Sequence, residues 1–290
     1  MNDFQLKEAV RNLSIWRRRD ERAPHKPLLI LLALGQLYAK KTQHLPYEEI
    51  REPLKDLLIE FGPTRQSYHP EHPFVRLTND GIWNLNVLVK NSNIRGKWLL
   101  DHNVVGGFND EVYSLLMSNK TLIREVAEII LNDHFPQTMH EDILATVGLD
   151  FDEITNRHRD PKFREKILRA YEYKCAVCGF NVRLGNNLIA VEAAHIKWHQ
   201  AGGPDNENNG MALCVMHHKL FDRGVFTLTS SRKLLVAERA HGTNGFEEWL
   251  MRYHGKEITA PIRPEYKPED SYVNWHVKEV FKGSSRYHAG

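Results

Sequence analysis

Cysteine is scarce in this chain of 290 residues: there are three, an odd number that does not suit a disulfide framework. Long apolar runs are scarce as well. The longest, PLLILLALG at 27–35, falls well short of the roughly 20 residues that a membrane helix needs. The opening MNDFQLKEAV lacks the pattern of a secretory leader. Internal repeats and low-complexity tracts are also missing, and the formal net charge is only +2. These absences point away from a secreted scaffold, a membrane protein and a disordered tail, and lead to the expectation of a soluble, cytoplasmic protein. The apolar content, 41%, is ordinary, and the length suffices for two domains with cores of their own.

The small net charge conceals a division. Basic residues outnumber acidic ones 16 to 11 in 1–100, acidic outnumber basic 9 to 2 in 101–150, and basic lead again, 21 to 17, in 151–290. Two basic blocks around an acidic middle suit two polyanion-binding modules and a spacer, although such an excess is often no more than a solvated surface.

The first block opens with FQLKEAVRNLSIWRR at helical spacing and continues into PLLILLALGQLYAKK, with Pro27 where a first-turn proline belongs. A third helical stretch, YEEIREPLKDLLIEFG, is expected to be interrupted by Pro53. PFVRLTNDGIWNL (73–85) reads as two short strands around an Asn-Asp-Gly turn. Three helices and a hairpin form a winged-helix-like order. Two further helical patterns occupy 109–147, and periodicity fades over 148–160 before KFREKILRAYEY. The reading is therefore an α+β chain: a helical winged-helix-like domain over 1–150, a linker at 151–160, a second domain over 161–241, and an arm over 242–290 that packs on the second domain.

Cys175-Ala-Val-Cys178 and Cys214-Val-Met-His217 supply four ligands in two tight pairs and use every cysteine. A lone CxxC could be a redox pair, but two such pairs form the tetrahedral set preferred by structural Zn²⁺. The 35 residues between the pairs exceed a common zinc-ribbon spacing, so they should form a structural unit inserted in the knuckle.

The adjacent His217 and His218 pose a separate question. Neighbours on a helix point about 100° apart, so two such rings serve two sites more easily than one. Ahead of them, LIAVEAAHIKW ends a strand-like run in His195, and the loop QAGGPDNENNG carries Asn209. Taken alone, His195 would be an ordinary structural histidine and His199 a loop residue. The combination AHI…NG…LCxxHH…FD, over about 165–232, resembles the ββα-metal fold of HNH endonucleases. That resemblance implies phosphodiester hydrolysis with His195 as general base, Asn209 fixing the loop that aims it, and His218 on a catalytic divalent cation such as Mg²⁺ or Mn²⁺. Asp222, one helical turn after His218, is a plausible second ligand. The residue before the base, which holds the metal in many such enzymes, is Ala194 here. Glu192, two residues earlier on the same strand face, is a candidate to compensate.

Arg17, Arg18, Arg19, Arg22 and Lys26 precede the second helix, and HPFVRL and NIRGKW mix cations with apolar residues. APHKPLL followed by HPF.RL..DG.W resembles the sulfur-binding domain of restriction endonucleases that attack phosphorothioated DNA, and the WHVKEVF ending also recurs in such nucleases. The resemblance implies double-stranded, phosphorothioate-modified DNA as partner. It sets Pro73, with His72 and Phe74, at the sulfur, and Arg22, His25, Lys26, Pro27, Arg95 and Gly96 on adjoining phosphates or base edges. Two rivals stay open: an endonuclease that reads 5-methylcytosine, and a zinc-containing DNA-binding module without catalysis. Cutting both strands would be served by a homodimer, for which the residues reveal no interface.

Overall fold

The computed structural model describes residues 1–15, 21–40, 42–149, 151 and 161–284. Arg17, Arg18 and Arg19 and the expected linker, apart from Phe151, lie outside the described residues. The chain divides into two compact units, Met1–Asn156 and Arg157–Gly290. Among the described residues no helix is long and apolar enough to cross a membrane.

The first unit is built around α2 (His25–Lys40), whose apolar run is buried on all sides: Leu28, Leu29, Ile30, Leu31 and Leu34 are inaccessible. A helix apolar all round must be central, because no face of it is suited to water. Around it pack α3 (Tyr47–Phe61), α4 (Glu71–Arg76), α7 (Lys120–His134) and α8 (His140–Val147), while α1 (Asp3–Arg11) lies on α7. The shorter α5 (Gly96–Asp101) and α6 (Asp110–Ser118) complete the shell. Pro27 costs α2 nothing, since first-turn N–H groups have no intrahelical partner.

Two expectations are corrected here. Pro53 does not interrupt α3, which runs unbroken past it. The residue sits on the exposed face, where the carbonyl deprived of its partner can turn to water. Nor is 73–85 a hairpin. Its first half is the helix α4 and a turn of 3₁₀ helix at Leu77–Asp80, capped by Gly81 at φ 72°. Pro73 falls in the first turn of that helix, where proline is tolerated, and buried Phe74 anchors it to the core. Only β2 (Trp83–Leu85) is extended, and it joins β1 (His44–Pro46) across the central β3 (Val105–Phe108) in an antiparallel order β1-β3-β2. The strands come from remote parts of the sequence, so the expected winged-helix hairpin is replaced by a small non-local sheet.

The second unit centres on an antiparallel pair, β6 (Val191–His195) and β7 (Gly210–Cys214), in the register Val191↔Cys214 to His195↔Gly210. Two helices pack on it, α9 (Pro161–Ala170) and α10 (Val215–Asp222). Gly210 faces α9 so closely that a β-carbon there would lie 2.3 Å from Ile167 Cδ1. Before this pair comes the ribbon β4 (Arg183–Leu184) with β5 (Asn187–Leu188); after it come β8 (Phe226–Leu228) with β9 (Leu234–Val236), then α11 (Phe246–Trp249) and α12 (Asp270–Glu279). The segment after 242 runs back over its own unit. Thr259 N–H donates to the Ala176 carbonyl, Ile262 N–H to that of Ala170, and Glu269 N–H to that of Asn208.

Candidate active site

The cysteine cluster forms where a strand becomes a helix. Cys214 ends β7 and caps α10, which leaves His217 in the first helical turn and so brings the CxxH pair to one point. The CxxC pair turns back on itself through Gly179, at φ 74°, and is tied to the strand by Ala176 N–H donating to Ala212. The ligand atoms of Cys175, Cys178, Cys214 and His217 all lie within 4.8 Å of one another. The Cys178–Cys214 sulfurs are 4.0 Å apart, and His217 Nδ1 stands 3.1 Å from Cys214 Sγ and 3.7 Å from Cys175 Sγ. Donors bound to one tetrahedral zinc ion sit roughly 3.5–3.8 Å apart, so this donor set fits Zn²⁺. His217 Nε2 donates to the Trp249 carbonyl at 2.9 Å, which fixes the tautomer that presents Nδ1 to a metal. Hydrogen bonds among the sulfurs pull the Cys175 thiol down and push the Cys214 thiol up, so the cluster without a cation concentrates its negative charge on one sulfur.

His218, the neighbour of that ligand, belongs to a different arrangement. Its Nδ1 is 2.7 Å from Glu192 Oε2 on β6, and its Nε2 is 3.2 Å from Asp222 Oδ2 one turn along α10. The structure thus brings together the three residues expected around a catalytic cation, but as a chain with the imidazole in the middle. They are not among the clusters whose ligand atoms converge on one point. Asp222 is buried, whereas the Glu192 side chain is 40% exposed.

His195 ends β6. Its ring is stacked on Phe163 of α9 with centroids 4.0 Å apart, and its Nε2 lies 2.7 Å from Asp205 Oδ1. A carboxylate only accepts, so Nε2 carries the proton and Nδ1 is the acceptor nitrogen. His199 is a loop neighbour, its ring 6.1 Å from that of His195. Asn209 is inaccessible and spends its amide on the loop between the strands. Oδ1 accepts from Lys197 N–H at 2.9 Å, and Nδ2 donates to the Lys197 and Pro204 carbonyls at 3.0 and 2.9 Å. The side chain therefore clasps the loop that follows His195 and carries Asp205.

Sequence reasoning did not single out Asp205 or Phe163, nor the pair that braces the centre from behind. On α12, the Trp275 ring meets Trp198 edge-on at 5.8 Å. His276 stacks on Phe221 of α10 at 3.7 Å, is hydrogen-bonded to Thr227 Oγ1 and donates to the Phe221 carbonyl. WHVKEVF was visible as a motif; its contacts were not.

In the first unit a cavity of about 290 Å³ opens among Ile15, Ala23, His25, His72, Pro73 and Arg76. His25 is held near pKa 4, first by burial and then by Arg65, His72 and His69; burial likewise lowers His72. Its imidazole walls are accordingly neutral at pH 7. Other expected contacts fall elsewhere. Phe74 is a core residue, inaccessible between the rings of Tyr47 and Trp83 at 5.1 and 5.8 Å, and cannot touch a ligand in this conformation. Lys26 lines the cavity, but its ammonium is occupied by Asp80 Oδ2 at 2.5 Å and the Ser14 carbonyl at 2.8 Å, so its charge is offset within the protein. Pro27 is buried in α2. Arg22 is partly buried and donates to the Phe61 carbonyl at 2.9 Å. Arg95 is exposed, and Gly96 begins α5 beside Tyr47 and Glu71.

Two family models match different parts of the chain. Residues 3–152 match the model for the ScoMcrA-like DNA sulfur-binding domain, and 175–229 match that for HNH endonuclease. Among solved structures, the chain is similar to the sulfur-binding domain of SprMcrA complexed with phosphorothioated DNA, at 23% identity and TM-score 0.45 over 51% of this chain and 95% of that one. It is also similar to the type IV phosphorothioation-dependent restriction endonuclease ScoMcrA (20%, TM-score 0.41, 49% of this chain and 32% of that). A third is the modification-dependent TagI restriction endonuclease (24%, TM-score 0.30, 46% and 41%). A search of curated proteins finds no match.

Proposed function

The chain belongs to the ScoMcrA-like DNA sulfur-binding domain family and carries an HNH endonuclease domain, and from that premise we propose that it is a restriction endonuclease that reads phosphorothioate in double-stranded DNA and hydrolyses the backbone with a single catalytic cation. One observation carries the specificity: the cavity walled by Pro73, Ile15, Ala23 and two neutral imidazoles. Sulfur in place of a nonbridging phosphate oxygen is larger, more polarisable and less well hydrated. An apolar wall accepts that atom at little cost but leaves an oxygen without the hydrogen bonds it had in water. Arg76 at the cavity, and the exposed Arg95, supply cations for neighbouring phosphates.

In the second unit, His195 takes a proton from the attacking water at Nδ1, and Asp205 holds the ring by Nε2 and stabilises the imidazolium that results. Asn209 keeps both on one rigid loop. Glu192 and His218 Nδ1 form the more open side of the carboxylate–imidazole chain and fit a divalent cation. The buried Asp222 then accepts from Nε2–H and orients the ring, a supporting part in place of the ligand role expected of it. Such a cation, when bound, supplies charge stabilisation at the phosphorane and at the leaving 3′ oxygen. Glu192 and His195 stand three residues apart on β6, about 10 Å along the strand, and leave opposite faces of it, His195 toward Phe163 of α9 and Glu192 toward His218 of α10. Lys162 and Lys166 on α9 and Arg263 line a groove of about 530 Å³, a basic surface suited to the duplex.

The test is to incubate the full chain with Mg²⁺ or Mn²⁺ and matched plasmids carrying phosphorothioate, 5-methylcytosine or neither. Cutting confined to the phosphorothioate plasmid is expected. Cutting confined to the methylated plasmid refutes the sulfur reading, and no cutting with any divalent ion favours a binding module. His195→Ala should abolish cleavage and leave DNA binding intact.

A further inference from the structure

We propose that His69, Glu71 and His72 form a second kind of metal site, in the first unit, that takes a divalent transition-metal ion such as Co²⁺, Ni²⁺ or Zn²⁺. The inference does not depend on what the neighbouring cavity binds. The ligand atoms of these three residues lie within 4.8 Å of one another, a convergence shared among the described residues only with the cysteine cluster. Two imidazoles and one carboxylate form a borderline donor set, suited to late first-row ions and leaving positions open for water. The spacing arises because His69 precedes α4 and Glu71 and His72 occupy its first turn; the two rings lie stacked, 5.1 Å between centroids.

The donors are also supported from outside. Glu71 is mostly buried, at 12% side-chain exposure; one of its oxygens accepts from the Tyr47 hydroxyl at 3.4 Å, and the other faces His69 Nδ1 at 2.9 Å. Burial, and then Glu71 itself, push the Tyr47 phenol upward, so it remains a neutral donor. His69 Nε2 is 2.9 Å from Ser67 Oγ, which can fix the ring's orientation. Donors about 2.1 Å from one ion sit roughly 3.0–3.4 Å apart, close to the His69–Glu71 separation. In the metal-free arrangement a proton bridges that gap; the cation takes its place and the proton leaves to solvent. His72 also lines the cavity, so an ion here adds positive charge at its wall.

The experiment titrates Co²⁺ into the zinc-loaded full chain by calorimetry, with selectively ¹⁵N-labelled histidine rings followed by NMR. Wild type, His69→Ala, Glu71→Gln and His218→Ala are compared. His69 is half exposed, so its alanine variant should keep the fold, checked by its thermal melt. One equivalent should be lost, or bind at least tenfold more weakly, in both His69→Ala and Glu71→Gln, and persist in His218→Ala. The His69 and His72 rings should be among those broadened by the paramagnetic ion. The proposal is overturned if both first-unit variants bind Co²⁺ as wild type does, or if those two rings are unaffected by it.

Discussion

Single residues carry the sharpest consequences. Asp205 touches His195, the base we propose, and nothing in the spacing of the sequence announced it; in Asp205→Asn the amide can still bond the ring but no longer balances an imidazolium. Cleavage of the modified plasmid should slow about 10- to 100-fold with DNA affinity unchanged; an unaltered rate would remove Asp205 from the mechanism. His25 gives a pH dependence with a definite sign. Its pKa near 4, against an ordinary 6.5, means that between those values the unfolded chain takes up a proton the folded chain refuses. The first unit is therefore unaffected above pH 6.5 and loses up to about 3 kcal/mol as pH falls to 4. Urea midpoints of wild type and His25→Gln across that window check this, and parallel curves would contradict it.

At the scale of elements, what could be read in advance followed local chemistry. The apolar run of α2, the two ligand pairs, and the histidines at the strand end and on the following helix were legible because each depends on neighbours a few positions away. The winged-helix hairpin failed because Asn-Asp-Gly is turn chemistry in two settings, and Pro73 with Phe74 decided for a capped helix. The sheet order β1-β3-β2 and the contact of α12 with α10 join residues 49 or more apart in several places, and no local pattern encodes them. The second of these contacts is testable. His276 is inaccessible, stacked and bonded at both nitrogens, so His276→Ala should cost the second unit about 2–4 kcal/mol, measured by urea unfolding of the zinc-loaded chain. Cleavage should decline as well, because α10 carries His218.

For the whole molecule, two compact units with separate cores predict two separable responses to metal loss. A strong chelator that strips the Cys₃His cluster removes binding energy that structural zinc sites supply to folding, typically about 10 kcal/mol or more. The second unit should then melt at much lower temperature, while the first, whose core of α2 and its neighbours contains no cysteine, keeps its transition. Calorimetry should resolve two peaks after chelation, and Cys178→Ala should reproduce the effect without chelator. A single unchanged transition would show that the cluster holds no structural ion.

The position of α12 has one more implication, for the cell that makes this protein. Trp275 and His276 brace the loop after His195 and the helix of His218 from 77 and 55 residues further along the chain than the rings they touch, Trp198 and Phe221. During synthesis His195 and His218 leave the ribosome well before their brace does. A nascent polypeptide that ends before α12 lacks both rings that pack on Trp198 and Phe221.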